Sequence, residues 1–514
     1  MENQTQMLLV MIAYMAFIIL LGFYQGRKVK TGSDFAIAGR KLPGWVAALS
    51  ERATGESSWA LLGLPGAAYA TGLLEIWTAV GCVAGILFAW IVLAWRLRNE
   101  AEKYEVDTFT DYIAKSHGEV GKWLRIVSSS TIVFFFFFYV GAQFIGGGKT
   151  LENLFGIEKF WGMLIIVGLV IPYTIYGGFR SVTYTDVVQA IIMIITLIIA
   201  PIAGINYLLS QPEGTLYAMN IGDALNKAGE SYSTLTGGAV MTDDSPLSTF
   251  LGNIFPNMGN VVSGLGTGII IAGAFSWFFG YLGGQPQLSM RFMAITDAKE
   301  ARKARNIGVI WTIIAYIGAL LIGWIGIAIF GPQGLKDQET VMPEVLTTIF
   351  PPIVAGILIT GVLAAIISTA NSLLILSSTE LSDNIVKPIF FKGKKISPNS
   401  SLRYSRIITG ILSLVALVLA YYSSGEMIYT IVGYVWAGIG STFSVVILLT
   451  LFWKKYHGIP ALLTIISGLV FTIIWISTGM DKIITSRLLT FIVSLLVAVI
   501  STYAIKKKEY GSNG

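Results

Sequence analysis

Apolar positions run along this chain in long blocks, without the alternation of a strand or the half-polar stripe of a water-soluble helix. A run such as Leu164–Ile171 contains no polar side chain at all. Short clusters of charge, glycine and proline separate the blocks. A hydrocarbon core about 30 Å thick demands roughly 20 apolar residues per crossing helix. Thirteen stretches meet that demand, near 7–26, 44–72, 73–96, 122–148, 160–178, 182–210, 262–285, 304–331, 351–380, 402–422, 427–453, 457–478 and 484–505. Without alternation they predict helices rather than a closed barrel, and an open sheet cannot satisfy its backbone in lipid. The stretch at 7–26 follows Met-Glu-Asn-Gln-Thr-Gln, which lacks the basic start of a signal peptide. It reads as an extra helix ahead of the functional core.

Between the blocks, residues 97–121 form a loop with a short amphipathic helix expected at Thr108–Lys115, and 211–250 and 332–350 form two more loops. None is large enough for a soluble domain. The chain therefore reads as one all-α membrane domain spanning 1–514.

Composition narrows the class. Of 514 residues, 54% are hydrophobic and 12% charged, where soluble domains carry about 25% charged residues. Soluble enzymes, disordered chains and disulfide frameworks are excluded. Cys82 is the one cysteine, and His117 and His457 are the two histidines. These are too few for a Cys/His zinc site or a bis-His haem. The reading is that the protein is not an enzyme.

Charge sets the orientation. One set of alternate loops holds 28 of the 35 Lys and Arg, from Arg27–Lys41 through Arg291–Arg305 to Lys506–Lys508. The opposite set holds 6: Lys149, Lys159, Lys227, Lys336, Lys482 and Arg487. Arg52 lies inside a span. Basic loops stay cytoplasmic, so the N-terminus is expected outside and the C-terminus inside a plasma membrane. The net charge of +6 is spread over loops facing anionic lipid headgroups. That leaves membrane lipid as the partner and argues against nucleic acid; no obligate protein partner is evident.

Polar residues are costly within a membrane helix and mark sites or pathways. The second stretch breaks at Ser50-Glu51-Arg52-Ala53-Thr54-Gly55-Glu56-Ser57-Ser58. An unwound helix there would expose carbonyl oxygens suited to Na⁺; the alternative is a polar stripe facing other helices, with Glu51 paired to Arg52. The seventh stretch carries Gly264-Leu265-Gly266-Thr267-Gly268 at one end and Ser276-Trp277-Phe278-Phe279-Gly280-Tyr281-Leu282-Gly283-Gly284-Gln285-Pro286 at the other. Trp277 and Tyr281 share a face by their spacing of four, either as site residues or as interfacial anchors. These two breaks lie five stretches apart. Five is odd, so the halves are expected to be inverted: 44–210 a first repeat, 262–453 an inverted second, 457–505 two C-terminal helices. Broken helices at matching positions of inverted repeats point to a midplane transport site.

The ninth stretch holds Ala364-Ala365-Ile366-Ile367-Ser368-Thr369-Ala370-Asn371-Ser372. Its hydroxyls either back-bond to their own helix or, facing the broken helix, complete an oxygen cage for Na⁺. Asp186, after Gly177-Gly178, either favours a helix start or serves a second cation site or its exit path. Gly146-Gly147-Gly148-Lys149-Thr150 mimics a phosphate loop, but Gln143 stands where the motif needs glycine and the preceding segment is an apolar helix.

At these residues the chain resembles the sodium/solute symporter family, and within it the sodium/proline carriers, from about Gly22 to Tyr456. The matching pieces are Ala38-Gly39-Arg40 with Ala48-Leu49-Ser50, Gly63-Leu64-Pro65-Gly66-Ala67, Tyr173 to Gln189, Gln285-Pro286 with Arg291-Phe292-Met293-Ala294, and Ala364 to Thr369. The resemblance implies about 13 transmembrane helices with a five-plus-five inverted-repeat transporter core. It implies Na⁺-coupled symport of a small organic solute into the cell, with L-proline as the leading substrate. Rival solutes are pantothenate, sialic acid, a sugar or a monocarboxylate; a solute-sensing receptor on the same fold is another class.

Carried over by position, the main Na⁺ site uses carbonyls of Ala53, Glu56 and Ala365 with hydroxyls of Ser368 and Thr369. A second Na⁺ site, present in some members, uses positions matching Asp186, Ser368, Asn371 and Ser372. Ser57, Tyr139, Trp277, Tyr281 and Pro286 match positions associated with the ion or substrate. Two departures stand out. Gly55 replaces the usual Asp, with a carboxylate one residue later at Glu56, and one extra residue separates Tyr281 from Pro286.

Overall fold

The computed structural model describes residues 2–235, 272–390 and 397–505. The Gly264–Gly268 cluster and the start of the expected 262–285 span lie outside those residues, as do Lys392, Lys394, Lys395 and Lys506–Lys508. Among the described residues the chain is helical, and its only β pairing is an isolated parallel bridge between Leu42 and Ile295.

Among the described residues, ten helices are long and apolar enough to cross a membrane. Two of these are too long for one crossing. Gly44–Lys103 has 60 residues and Lys159–Ser210 has 52, or roughly 90 and 78 Å at the helical rise. Both are interrupted near the borders drawn from the sequence. Gly72 takes φ 63°, ψ −124°, and Gly178 takes φ 54°, ψ −156°. A side chain at Gly178 would also stand 2.4 Å from the Phe35 ring, so both the backbone and the packing require glycine there.

The Pro352–Thr379 helix is the innermost. It packs against Glu2–Gly26, Gly44–Ser58, Gly121–Phe155 and Lys159–Ser210. Its most apolar window is 83% buried, against 22% for Ser486–Ala504 at the periphery. Being apolar all round, it cannot display this difference as a stripe in the sequence. The short Thr108–Lys115 helix runs as Phe109–Ser116, with the Thr108 hydroxyl accepting from Asp111 N–H.

Three expectations change. The 332–350 loop contains the Val341–Ile349 helix, whose Met342, Val345 and Leu346 are buried. Nine residues are too few to register as a span. Ile221–Leu235, at 15 residues also short of a span, is a helix within the expected 211–250 loop. Arg98, Arg291 and Lys149, all counted above as loop cations, are buried at 6%, 1% and 7% exposure. Removing them leaves 26 against 5, so the charge bias stands. Lys149 pairs with Glu339 at 2.6 Å and Asp337 at 2.8 Å.

Candidate functional site

The second stretch stays helical as far as Ser57, which takes φ 50°, ψ −170°. A serine at positive φ is strained by roughly 1–3 kcal/mol and persists only where its surroundings enforce it. Here Ser57 Oγ accepts from Trp59 N–H at 3.1 Å, and Ser58 N–H donates to Gln143 Oε1 at 3.0 Å. A π-helical turn over Trp59–Gly63 follows; such turns recur at functional sites. The break is thus one residue wide, narrower than the nine-residue cluster. The two readings of that cluster hold together, because Arg52 pairs with Glu51 one turn before the break. Arg52 also donates to Glu56 Oε1 and Thr312 Oγ1, each at 2.9 Å. Its guanidinium lies 3.3 Å from where a Cβ at Gly55 would stand. The Glu56 carboxylate is turned to Arg52.

The hydroxyl-bearing face of the Pro352–Thr379 helix meets this break. Thr369 Oγ1 donates to the Thr54 carbonyl at 2.9 Å, and the Thr54 and Ser372 hydroxyls lie 3.0 Å apart. Thr369 bonds across to another helix, not back to its own. Ala53, Glu56, Ala365, Ser368 and Thr369 are all fully buried. Their oxygens are hard donors, the type Na⁺ takes. The Glu56 carbonyl already accepts Trp59 N–H, and its second lone pair remains.

Asp186, fully buried, accepts from Ser368 Oγ at 2.7 Å, Ser50 Oγ at 2.6 Å and Arg291 at 3.1 Å. Asn371 turns elsewhere, to Tyr173 Oη and Thr174 Oγ1. Of the second-site residues, Asp186, Ser368 and Ser372 come together and Asn371 does not join them.

The seventh stretch breaks as well. Trp277–Gly280 is helical, 281–285 is not, and Pro286–Ala294 starts a new helix. Pro286 opens that helix, where its fixed φ suits the first turn, and so stands at the far end of the break. Trp277 and Tyr281 are 0% and 3% exposed, which rules out interfacial anchoring. Trp277 stacks on Trp59 with centroids 4.3 Å apart and planes 7° from parallel. Tyr139, Tyr281 and Trp277 surround Trp436 at 5.3, 5.4 and 5.8 Å. Tyr316 and Tyr429 close the cluster against Trp59. Ser58 Oγ, Tyr139 Oη and the indole nitrogens of Trp59, Trp277 and Trp436 are buried without hydrogen-bond partners among the described residues. Each such group costs about 1–3 kcal/mol unless something polar meets it, so their concentration around one cluster of rings points to a ligand.

Trp59, Tyr316, Tyr429, Trp436 and Arg291 were missed from the sequence. Trp59 directly follows the polar cluster, and Tyr429 and Trp436 lie two turns apart on one face; both signals were available. Tyr316 carried none. Gln143, noted only for spoiling a phosphate-loop match, steadies the break. The glycines of that false motif lie inside the continuous Gly121–Phe155 helix, where Gly147 and Gly148 make room for Ile166 and Lys159.

Residues 35–468 match the sodium:solute symporter family. The chain is 35% identical over 482 residues to the high-affinity proline transporter PutP of Bacillus subtilis, covering 93% of this chain and 94% of that one. It is 32% identical to sodium/proline symporter 2 of Staphylococcus saprophyticus, covering 99% and 94%. Its fold is similar to a solved outward-open, substrate-bound Na⁺-coupled sialic acid symporter, with a TM-score of 0.75, 17% identity and 98% of each chain covered.

Proposed function

The chain belongs to the sodium:solute symporter family, and from that premise we propose that it couples Na⁺ entry to the import of L-proline. The observation that carries this reading is the meeting of the broken Gly44–Ser58 helix with the hydroxyl face of Pro352–Thr379, beside a cluster of buried aromatic rings. The relatives named as proline carriers support the choice of solute.

Na⁺ is cargo in this mechanism. Ala53, Glu56 and Ala365 offer carbonyls to it, and Ser368 and Thr369 offer hydroxyls. Thr369 now spends its proton on the Thr54 carbonyl, which leaves its lone pairs for a cation. Filling this site joins the two helices and sets the break that borders the rings. The apolar pyrrolidine ring packs on Trp277 and its neighbours. Its polar ends meet Ser57, Ser58 and the Tyr139 hydroxyl. Each ligand thus completes the other's site, and the coupling is reciprocal. One Na⁺ moving down 100 mV releases about 2.3 kcal/mol.

The two five-span halves then rock about this site, with the N-terminus outside, the C-terminus cytoplasmic and the protein in the plasma membrane. The test is uptake of labelled proline into proteoliposomes. Uptake should follow an inward Na⁺ gradient and collapse when the gradient is removed. Gradient-independent or absent uptake rejects proline symport, and competition by other solutes would then name the replacement.

A further inference from the structure

Arg291 is 1% exposed, and every nitrogen of its guanidinium is engaged. Its Nη2 donates to Asp186 Oδ2 at 3.1 Å and to Ser372 Oγ at 2.5 Å. Its Nε donates to Ser50 Oγ at 3.0 Å, and its Nη1 to the Gln287 carbonyl at 2.7 Å. Ser368 and Ser50 spend their own protons on the two oxygens of Asp186. The groups a second Na⁺ would need around Asp186 are therefore already arranged about a cation.

Charge points the same way. Around the first break the protein buries three carboxylates, Glu51, Glu56 and Asp186, and two guanidiniums, Arg52 and Arg291. Arg52 is held between Glu51 and Glu56, and Arg291 sits on Asp186. One negative charge remains. Uncompensated charge is costly inside a membrane, and a single monovalent cation neutralises this set; a second would leave it positive and stand against a guanidinium.

We propose that Arg291 is a tethered cation that takes the place of a second Na⁺, so that one Na⁺ accompanies each solute. This rests on the symport reading. The test counts ²²Na⁺ bound at saturation by the purified full-length protein in lipid nanodiscs with proline present. The wild type should bind one Na⁺ per chain. Arg291→Gln, which vacates the position while leaving Asp186 charged, should bind two. A folded Arg291→Gln protein that binds one overturns the proposal. If that variant does not fold, Asp186→Asn decides: a count held at one upholds the proposal, and a fall to zero overturns it. A wild-type count of two, falling to one in Asp186→Asn, also overturns it while leaving symport intact; a count of zero sinks both. Independently of any variant, reversal potentials in proteoliposomes should fit one Na⁺ per proline, and a fit to two overturns the assignment.

Discussion

Single side chains decide how the ion and the solute are felt. Thr369 and Ser368 are neighbours on the buried Pro352–Thr379 helix, yet their partners differ: Thr369 reaches the broken helix and Ser368 reaches Asp186. Replacing both by Ala removes two oxygens from the proposed Na⁺ site. The Na⁺ concentration for half-maximal uptake should rise about tenfold, or about 1.4 kcal/mol; an unchanged value removes these hydroxyls from the site. Trp59 tests the solute side. Its stack on Trp277 is worth about 0.5–1.5 kcal/mol beyond buried area. Trp59→Ala should raise the KM for proline about tenfold and leave the Na⁺ dependence near wild type. Equal shifts in both would place Trp59 in general packing. The residue types at the ion site were legible because polar atoms stand out in an apolar helix. Trp59 was marked only by its place directly after the polar cluster and Tyr316 by nothing, since an aromatic residue in such a helix looks the same whether it faces lipid or a solute.

Elements set where those side chains meet. Both breaks were visible as glycine, serine and charge inside apolar stretches. Their widths were not, because backbone direction changes at one or two residues while composition is averaged over many. Close approach around the second break is tight. A Cβ at Gly284 would lie 2.0 Å from the Gly440 carbonyl, in the segment carrying Trp436. Gly284→Ala should cost about 1–3 kcal/mol by overpacking and lower the thermal midpoint. Gly168→Ala is the control: nothing lies within 4 Å, and alanine favours helix by up to about 1 kcal/mol. Equal melting shifts would contradict this packing. What the short Val341–Ile349 helix does was illegible for another reason. It positions Glu339 just before it, and that carboxylate accepts from the N–H groups of Ile428 and Tyr429 at 3.0 and 2.9 Å. Capping across 89 and 90 residues leaves no local sequence pattern.

At the scale of the whole molecule, peripheral helices reach the centre. Arg487, from the outermost Ser486–Ala504 helix, places its guanidinium 4.5 Å from the Trp277 ring and donates to Ser276 Oγ at 3.1 Å. The sequence reading set the two C-terminal helices outside the repeats and gave them no part in the site. A partly desolvated cation–π contact is worth about 0.5–2 kcal/mol. Arg487→Ala should therefore raise the KM for proline two- to thirtyfold with kcat nearly unchanged. An unaltered KM would show that the contact does not reach the solute. Away from the rings, Leu42 and the 294–296 segment tie the ends of the two broken helices together by hydrogen bonds of 3.1 and 3.0 Å.

From the chain alone came the solvent it folds in, the helical class, the places where helices break and the face that carries hydroxyls. These follow from local chemistry, since lipid penalises every unpaired polar group wherever it stands. Partnership came only with the tertiary structure: Arg291 on Asp186, Thr369 on Thr54, Trp59 on Trp277. Those pairs span 105 to 315 residues along the chain in the first two cases. A buried charge must find its counterion somewhere, but which one it finds depends on how helices uniformly apolar in sequence pack around one another.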